Sequence, residues 1–526
     1  MNYTPVIGME VHIELKTKSK MFCSCPNDPD RQEPASPDGG QGGPNVNICE
    51  ICLGHPGTLP VPNKKALAWT VLIGRALGCN IRELSKFDRK HYFYPDLPKG
   101  YQISQYDEPI AEDGQISLSF VLEDNIREAA DIGIRRVHLE EDTAKLTHDG
   151  KNSTLIDFNR AGVPLVEIVT NPNFKTALEA KIYCQELQRL MRYLGVSDAE
   201  MEKGHLRCEA NVSVQEAGRF EIVGGEVKPL EDYQLNHKVE LKNINSFRAV
   251  EKAIQYEIDR QIELSNRGES WPQQTRGWDE DKGATVLQRV KENAPDYRYF
   301  PEPDIPPFHP AKIAGKIHLP ELPIAKRQRF HEEYGFSYAD AKILTETKAW
   351  ADFAEAVMSE LIEWITTQTP ARDRTDETKE KKQQMLARLA GGWLTSKLLG
   401  AMSERKIDIR VLKLSPENFA ELISLIYLNK INSSNALKLL HDLLDAGADA
   451  DPTHIMEEKG YGQVSDEKKL AAVIEKVIKN YPAQVKQFRA GKEPVLKFLV
   501  GMVMKATEGS ADPQVAEKLL RKKLPK

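Results

Sequence analysis

The sequence lacks several patterns by which common classes of protein are recognised. No apolar run approaches the roughly 18 residues of a membrane-spanning helix, which excludes such a helix. There is no Gly-x-x-x-x-Gly-Lys-Ser/Thr loop and no Gly-x-Gly-x-x-Gly turn, so any nucleotide must be held in another way. Gly-x-Ser-x-Gly is absent too, and no cysteine sits beside a plausible base. The chain therefore does not resemble a hydrolase that uses a covalent nucleophile.

Cysteine is scarce and the net charge is small. The 526 residues contain seven cysteines, an odd number. The chain enters an apparent strand at Val6–Leu15, which leaves no room for a signal or transit peptide. Both observations indicate a reducing, cytoplasmic environment. The net charge of −6 excludes a general affinity for polyanions, so any contact with nucleic acid must come from local basic patches.

The chain is too long for one hydrophobic core, and its patterns change along its length. Strand-like runs, loops and a few helices fill residues 1–294, which predicts an α+β domain built on a largely antiparallel sheet. Six prolines between Pro295 and Pro310 indicate a stiff connector. Apolar residues then recur at helical spacing. This predicts an all-α linker domain over residues 295–410 and an all-α tail domain over residues 411–526.

The run from Met9 to Leu15 alternates strictly between apolar and polar residues, as a half-buried strand does. Glu10, His12 and Glu14 share one face, where neighbouring side chains lie roughly 6–7 Å apart. Two carboxylates and an imidazole are suitable ligands for a divalent ion. The pattern by itself fits either a solvated strand face or a metal site.

Three later segments place further acids on strands. Alternation puts Glu141 on an apolar side, where its carboxylate needs a partner. Glu167 lies inside an apolar strand, and either a buried ion pair with an arginine or a metal would satisfy it. Glu209 lies on the polar face of a third alternating strand. Acids from four separate strands predict one shared cavity. The three later segments are Val137–Asp142, Leu165–Val169 and Leu206–Val214.

The sequence has two close cysteine pairs, Cys23/Cys25 and Cys49/Cys52, on either side of an excursion rich in proline and glycine. Two such pairs separated by a loop are the usual arrangement for a zinc ion held by four thiolates. A disulfide is the alternative, and the reducing environment argues against it. Four sulfurs would close the coordination shell, so the pattern predicts a structural zinc and not a catalytic one.

Basic and aromatic residues interleave in two segments, Lys86–Asp96 and Arg289–Phe300. Such mixtures can stack on bases and pair with phosphates. The alternative is a structured surface loop whose long side chains lie along apolar neighbours. The candidate RNA contacts in the first segment are Lys86, Arg89, Lys90, Tyr92 and Tyr94.

Several long motifs resemble those of one family. Ile7–Leu15 is similar to the N-terminal signature of the B subunits of tRNA-dependent amidotransferases, the GatB/GatE family. The resemblance covers nearly the whole chain. It continues in Lys86–Asp96, Gln102–Gln105, His138–Asp142, Asp157–Arg160, Leu206–Ser213, Glu240–Phe247, Glu457–Gly460 and Phe498–Gly501.

The resemblance implies that the chain works in a heterotrimer with a glutaminase and a third, small protein. In such a complex, ATP phosphorylates the side-chain carboxylate of Glu-tRNA(Gln), of Asp-tRNA(Asn) or of both. Ammonia that the glutaminase releases from glutamine then displaces the phosphate, giving Gln-tRNA(Gln) or Asn-tRNA(Asn). The resemblance also implies a cradle domain for the 3′ end of the tRNA, a helical linker domain and a YqeY-like tail domain.

The resemblance further assigns roles to the acids. His12, Glu141 and Glu167 match the family's magnesium ligands, with Glu10 and Glu209 in the same catalytic pocket. An imidazole is an unusual ligand for Mg²⁺, so Mn²⁺ stays open as a substitute. A divalent ion held by acids positions the phosphates of ATP and offsets the developing charge.

Three features depart from the family pattern. His205 replaces the usual serine, and Glu209 replaces the usual aspartate with a longer side chain. Residues 224–236 resemble an insertion and are expected to form a peripheral loop. Some family members lack the cysteines altogether, so zinc is not expected to take part in the reaction.

The tail domain is predicted to bind tRNA without contributing to the chemistry. It has no clustered acids and no metal-ligand spacing. The resemblance likewise implies a contact with the body of the tRNA. The basic residues predicted to make this contact are Lys486, Arg489, Lys492, Lys497 and Lys505.

Two other classes of function stay open on the sequence. The first is a metal-dependent ligase that joins an amine to the carboxylate of a free small molecule, and it would need no tRNA. The second is a zinc-stabilised RNA-binding scaffold without chemistry of its own. Such a scaffold would keep its activity after loss of the face that carries Glu10 and His12.

Overall fold

The computed structural model divides the chain into two compact units, Met1–Leu322 and Pro323–Lys526. Most of the proline- and glycine-rich excursion lies outside the described residues, as does the middle of the Arg289–Phe300 segment. No helix among the described residues is both long enough and apolar enough to cross a membrane. The described residues are 2–28, 43–121, 127–148, 150, 153–290, 297–368, 376–447, 450–462, 467–507, 511 and 513–525.

The strands all belong to the first unit. They are β1 (Tyr3–Glu14), β2 (Asn80–Ile81), β3 (Asp88–His91), β4 (Tyr101–Ser104), β5 (Ala111–Val121), β6 (Arg127–Glu141), β7 (Lys145–His148), β8 (Thr154–Asp157), β9 (Pro164–Thr170), β10 (Leu206–Glu216), β11 (Phe220–Val223), β12 (Glu226–Pro229), β13 (Val239–Ile244), β14 (Gln274–Asp279), β15 (Ala284–Val290) and β16 (Phe300–Pro301).

The helices are distributed over both units. The first unit contains α1 (Lys64–Ala76), α2 (Ala177–Leu194), α3 (Phe247–Asn266) and α4 (Pro310–Ala314). The second contains α5 (Pro323–Arg329), α6 (Tyr338–Leu344), α7 (Lys348–Gln368), α8 (Asp376–Gly392), α9 (Leu399–Arg405), α10 (Pro416–Tyr427), α11 (Ser433–Ala446), α12 (Pro452–Glu458), α13 (Glu467–Asn480), α14 (Pro482–Arg489), α15 (Pro494–Ala506) and α16 (Pro513–Lys523). It also has π-helical turns at Phe330–Tyr334 and Trp393–Leu398, and a 3₁₀ turn at Ile409–Val411.

A nine-stranded sheet forms the centre of the first unit. Its strand order is β15-β14-β13-β10-β1-β9-β6-β5-β2. Neighbouring strands are antiparallel except for β13 and β14, which are parallel. This arrangement confirms the predicted α+β class with a largely antiparallel sheet. It also makes β10, β1, β9 and β6, the four strands with the predicted acids, direct neighbours.

The main sheet has an apolar face that α2 and α3 cover. Cys208, Val11, Ile168 and Val137 lie side by side in register across β10, β1, β9 and β6, and all four are buried. Helix α2 packs against β1 and β5, and α3 packs against β10, β13 and β15. Because side chains alternate along a strand, this row determines that the residues between point to the opposite face.

Local sequence accounts for the position of α2. Its first turn is capped by Thr176, whose hydroxyl accepts a hydrogen bond from the Glu179 amide, and Glu179 in turn accepts one from the Lys175 amide. This pattern is a variant of the capping box, in which the acid would bond the amide of the cap residue itself and not that of the residue before it. The helix ends at Gly195, which has φ of 67°, a left-handed conformation that glycine adopts without strain.

The first unit extends beyond residue 294. Strand β16 pairs with β3, with Phe300 opposite Arg89, and α4 packs on α1. The proline-rich run that was predicted to be a connector is therefore, as far as it is described, part of the first unit. The boundary between the units falls after Leu322.

The second unit is helical, as predicted. Helices on both sides of residue 410 pack together: the rings of Phe353 and Phe419 lie 6.1 Å apart, as do those of Trp364 and Tyr427. A separate cluster of buried apolar side chains joins α13, α14, α15 and α16. The division into linker and tail domains at residue 410 stays a prediction.

Candidate functional site

Polar side chains of four adjacent strands meet on the polar face of the main sheet, opposite the face that α2 and α3 cover. The antiparallel register places Glu10 opposite Glu209 and His12 opposite Glu167, and Glu167 lies opposite His138 as well. Residues paired in this way point to the same face. The structure therefore brings acids from β10, β1, β9 and β6 together, as the alternation predicts.

His12, Glu140 and Glu167 form the centre of this face. The Nε2 atom of His12 lies 3.4 Å from Oε2 of Glu167 and 3.9 Å from Oε1 of Glu140. One ligand atom from each residue lies within 4.8 Å of the other two. The Nε2 atom of His138 approaches the same carboxylates, at 3.2 Å from Glu167 and 3.8 Å from Glu140. Carboxylates and imidazoles at this spacing suit a divalent ion.

The two imidazoles determine the protonation of the cluster. Burial raises the pKa of Glu167, but the charges of His138 and His12 outweigh burial and hold that pKa well below its ordinary value. Burial lowers the pKa of His12, but Glu167 outweighs it and raises that pKa to about 9. The pKa of His138 rises for the same reason. At neutral pH the cluster thus holds an ionised Glu167, while a proton occupies the His12 imidazole.

Glu141 does not join this cluster, so the expected ligand set of His12, Glu141 and Glu167 does not form. Its carboxylate lies on the opposite face of β6, where Lys99 Nζ approaches within 2.6 Å. The Ile103 amide also donates a 3.0 Å hydrogen bond to Glu141. The alternation had placed Glu141 correctly on the apolar side, but its partner is a lysine. Glu140 takes its place beside His12.

Two members of the cluster, His138 and Glu140, were missed by the sequence reasoning. Both are buried, and they are two residues apart in β6, so their side chains share a face. The same i, i+2 spacing had identified Glu10 and His12. Because Glu140 is two residues after His138, the same spacing places both side chains on one face of β6. The Ser104 hydroxyl holds Glu140 in place with a 2.8 Å hydrogen bond.

Glu10 and Glu209 extend the acidic face away from the cluster. Asn211 donates a 2.9 Å hydrogen bond to Glu10. Burial, followed by the charges of Glu167 and Glu209, raises the pKa of Glu10. Lys242 Nζ lies 2.7 Å from Oε2 of Glu209. The longer carboxylate at position 209 is thus held by a lysine that the sequence reasoning had not selected.

A lysine and three tyrosines form a wall at the other side of the cluster. The Lys90 ammonium lies 5.0 Å from the ring centroid of Tyr297 and 5.9 Å from that of Tyr92. Burial lowers the pKa of Lys90, but the charge of Glu140 and those of its neighbours raise it above the ordinary value. Burial raises the pKa of Tyr299 to about 12, and Lys90 partly opposes this. Lys90 therefore faces the acidic cluster as a cation.

The other predicted RNA contacts of this segment differ in accessibility. Lys86 pairs with Asp88 and Asp107, at 3.1 and 2.8 Å. Arg89 makes a bidentate pair with the carboxylate of Glu302, at 2.7 and 2.8 Å. Both cations are thus paired with carboxylates of the first unit, and their contact with RNA stays a prediction. Among the aromatic residues, Tyr94 is exposed, and its neighbour Phe93, which was not selected, is 84% exposed.

A cavity of about 470 Å³ lies beside Glu10 on the same polar face. Asn211 and Ser213 of β10 form one wall, and the β11–β12 hairpin with the segment that follows it forms another. Arg135 pairs with Glu226 of the hairpin at 3.7 Å. Residues 224–236 are largely exposed, as a peripheral loop would be, and Gly225, Glu226, Val227, Leu235 and Asn236 also line this cavity.

The four cysteines of the two close pairs come together next to strand β1. The Cys52 sulfur lies 3.6 Å from that of Cys49 and 3.9 Å from that of Cys25, and all four sulfurs lie within 4.8 Å of one another. A tetrahedron with zinc–sulfur bonds of about 2.3 Å has sulfurs about 3.8 Å apart. All seven cysteines are free of disulfides. The donor set and its spacing therefore fit zinc.

The five basic residues selected in the tail lie on or beside α14 and α15, and all are exposed. Within the described part of the chain, none of them takes part in an ion pair. Their charges are therefore available for an external anion. They are Lys486, Arg489, Lys492, Lys497 and Lys505.

The first unit is built on a mainly antiparallel sheet with a metal-competent His–Glu–Glu cluster, and the second unit is helical. Together they define a class of proteins that pair a metal-competent sheet domain with helical domains. Residues 5–314 match the family model described as the GatB/GatE catalytic domain, and residues 374–524 match the one described as the GatB domain. The chain belongs to the GatB/GatE family.

Curated relatives match over the full length. The chain is similar to proteins named as the B subunit of aspartyl/glutamyl-tRNA(Asn/Gln) amidotransferase from Thermomicrobium roseum, Acaryochloris marina and Thermotoga maritima. The identities are 43%, 42% and 40%. The alignments cover 100%, 99% and 100% of this chain and 99%, 98% and 99% of those proteins.

Proposed function

We propose that this chain is the B subunit of a tRNA-dependent amidotransferase, acting in a heterotrimer with a glutaminase and a third, small protein. It would phosphorylate the side-chain carboxylate of Glu-tRNA(Gln), Asp-tRNA(Asn) or both with ATP, and then form the amide with ammonia derived from glutamine. The names of its full-length relatives support this assignment. The observation that carries it is the buried cluster of His12, Glu140 and Glu167.

His12, Glu140 and Glu167 would hold a magnesium ion, with Mn²⁺ as a substitute. The donor set fits, because two carboxylates and an imidazole lie within reach of one centre. A bound ion would supply positioning and charge compensation for the ATP phosphates. Glu141 is not part of this proposal, because it is paired with Lys99.

The residues around the cluster suit both halves of the reaction. In the first half, a carboxylate oxygen of the aminoacyl side chain attacks the γ-phosphorus of ATP and ADP leaves. The Lys90 cation can offset charge on the phosphoryl oxygens. In the second half, ammonia attacks the acyl carbon and phosphate leaves. Glu10, with its raised pKa, is suited to accept the proton that the ammonia nitrogen loses.

The basic residues of the tail would support tRNA binding, and the cysteine site would support stability. The exposed basic residues of α14, α15 and the turn between them would contact tRNA phosphates. Zinc on Cys23, Cys25, Cys49 and Cys52 would stabilise the loops around it without taking part in the chemistry.

The test is the ATP hydrolysis that depends on mischarged tRNA, measured on the complete heterotrimer. His12→Ala and Glu10→Ala should lose this activity together with amide formation, while tRNA binding stays largely intact because affinity comes mostly from phosphate contacts. His148→Ala, which changes an exposed histidine of the same unit, is the matched control. Near wild-type ATP cleavage by the His12→Ala complex would contradict the proposed metal site.

A further inference from the structure

Lys20 is a lysine without any exposed surface. Its side chain is 0% exposed and is among the largest fully buried side chains of the protein. Its ammonium donates a 2.8 Å hydrogen bond to the carbonyl of Asn47 and lies 4.0 Å from the sulfur of Cys52. Within the described part of the chain, no carboxylate lies within 4.0 Å of this ammonium.

A buried ammonium in such a place needs an anion. Removing an ammonium ion from water costs several kcal/mol unless an opposite charge and hydrogen bonds compensate for it. One backbone carbonyl satisfies one of its three N–H donors but supplies no net charge. The sulfur of Cys52 is the group beside it that becomes anionic, because metal binding deprotonates cysteine.

The metal site has an excess of negative charge, which is opposite in sign to the charge of the Lys20 ammonium. Four thiolates carry four negative charges and Zn²⁺ carries two positive ones, so a closed tetrathiolate site has a net charge of about −2. In a partly buried site this excess is unfavourable, since each sulfur is only weakly solvated. One adjacent ammonium reduces the excess by half.

We propose that Lys20 is a positioning and charge-balancing residue of the zinc centre, with its ammonium acting on the Cys52 thiolate. This inference rests on the zinc site proposed above. Lys20 would not bind the metal itself. It would increase the affinity for zinc by stabilising the deprotonated form of a ligand and by fixing its orientation.

The backbone around Lys20 is built to hold the ammonium there. The Lys20 amide donates a 3.0 Å hydrogen bond to the carbonyl of Cys25, and the Asn63 side-chain amide donates one to the Lys20 carbonyl at 3.2 Å. Gly162 packs against the lysine stem with φ of 84°. A Cβ there would lie 3.5 Å from Cys52 Cβ and 3.7 Å from Lys20 Cδ. The loops that place two zinc ligands thus place the lysine as well.

The experiment measures zinc affinity on the full-length protein under reducing conditions, by competition with a chromophoric chelator. Lys20→Met and Lys20→Gln remove the charge, and Gln keeps a donor for the Asn47 carbonyl. Both variants should bind zinc about 10- to 100-fold more weakly. Lys18→Met is the matched control, because Lys18 is exposed on the same segment, and its affinity should not change.

A spectroscopic measurement distinguishes the loss of the Lys20 charge from misfolding of the variant. In Co²⁺-loaded protein, loss of a cation beside a thiolate raises the energy of the sulfur electrons, so the sulfur-to-cobalt charge-transfer band should shift to lower energy. The shift is expected in Lys20→Met and Lys20→Gln and not in Lys18→Met. If the Lys20 variants prove too unstable, Lys20→Arg keeps the charge and should retain most of the zinc affinity.

The outcomes distinguish the two proposals. If the wild-type protein binds no zinc, the zinc site itself is wrong. If it binds one zinc, but Lys20→Met and Lys20→Gln bind as tightly as Lys18→Met with an unshifted band, the role of Lys20 is wrong and the zinc site stands. Loss of affinity in Lys20→Arg equal to that in Lys20→Met would also overturn the charge argument.

Discussion

Glu140 and Glu141 are neighbours in β6, yet their carboxylates lie on opposite faces of the sheet and have different partners. Glu140 lies with His12, His138 and Glu167 on the polar face. Glu141 pairs with Lys99 on the other face. Two adjacent acids of identical chemistry therefore have separate roles, and the pleat of the strand assigns them.

Substitution of these two acids should affect different properties, metal affinity for Glu140 and stability for Glu141. Glu140→Gln should weaken Mn²⁺ binding at least about 10-fold, because it removes a charged ligand and leaves the fold intact. Glu141→Gln should leave Mn²⁺ affinity nearly unchanged but lower the free energy of unfolding by about 3 kcal/mol, because it leaves the Lys99 charge buried and unpaired. Calorimetric titration and urea unfolding measure the two quantities. The reverse pattern would restore Glu141 as the ligand.

Metal binding to the cluster should depend on pH. His12 has a pKa of about 9 in the metal-free protein, because Glu167 outweighs the effect of burial, so below this pH a metal ion must displace a proton. Affinity for Mn²⁺ should therefore increase as pH rises from about 7 towards 9. A titration series checks this, with proton release measured in buffers of different ionisation enthalpy. An affinity independent of pH would mean that His12 is not a ligand.

At the scale of elements, the cysteine loops are attached to the end of the strand that carries Glu140. The Met21 amide bonds the carbonyl of Gly162 at 2.7 Å, and the Gly162 amide bonds that of Asp142 at 3.0 Å. Asp142 directly follows β6, and Arg207 of β10 pairs with it at 2.6 Å. A structural metal in these loops would thus support one end of the polar face without touching the cluster.

Loss of zinc should consequently loosen a limited region. In Cys49→Ser, amide hydrogen exchange should increase around residues 18–27 and 45–55 and at Gly162, while the centre of β1 stays protected by its neighbours β9 and β10. Hydrogen exchange followed by mass spectrometry resolves these segments. If exchange rises throughout the main sheet, the cysteine loops stabilise the whole first unit and not only one end of its polar face.

At the scale of the whole molecule, the acidic cluster and the basic surface of the tail belong to different units. The acidic cluster and its cavity lie in the first unit, and the exposed cations of α14 and α15 lie in the second. The net charge of −6 hides this separation. Truncation at Ser415 would remove α10 and uncover Phe353, so substitution is the cleaner test of the tail.

Replacing the tail cations with glutamine should weaken tRNA binding and reduce its dependence on salt. Each phosphate contact that is lost lowers the slope of log K against log salt by about 0.7 to 0.9. Glutaminase activity without tRNA should not change. The measurement is tRNA affinity over a range of salt concentrations, with Lys381 and Lys382 of α8 substituted as the control. Unchanged affinity would contradict the assigned role of the tail. The residues to replace are Lys486, Arg489, Lys492, Lys497 and Lys505.

The sequence by itself determined what depends on short-range order. The period of two in β1 separates Glu10 and His12 from Val11 and Ile13, and the spacing of the cysteines identifies a four-thiolate site. The first follows from backbone geometry over a few residues and the second from the ligand spacing typical of zinc sites, so both can be predicted without the fold. The sheet-rich first part and the helical second part were predictable for the same reason.

Only the tertiary structure decided which residues from distant strands meet. The pairing register sets Glu167 between His12 and His138. The paths of the loops bring Lys20 to Cys52 and place residues of the 224–236 segment at the cavity beside Glu10. These contacts join positions far apart in the chain. Their existence depends on strand order and loop paths, which result from packing of the whole domain and leave no local periodic signal.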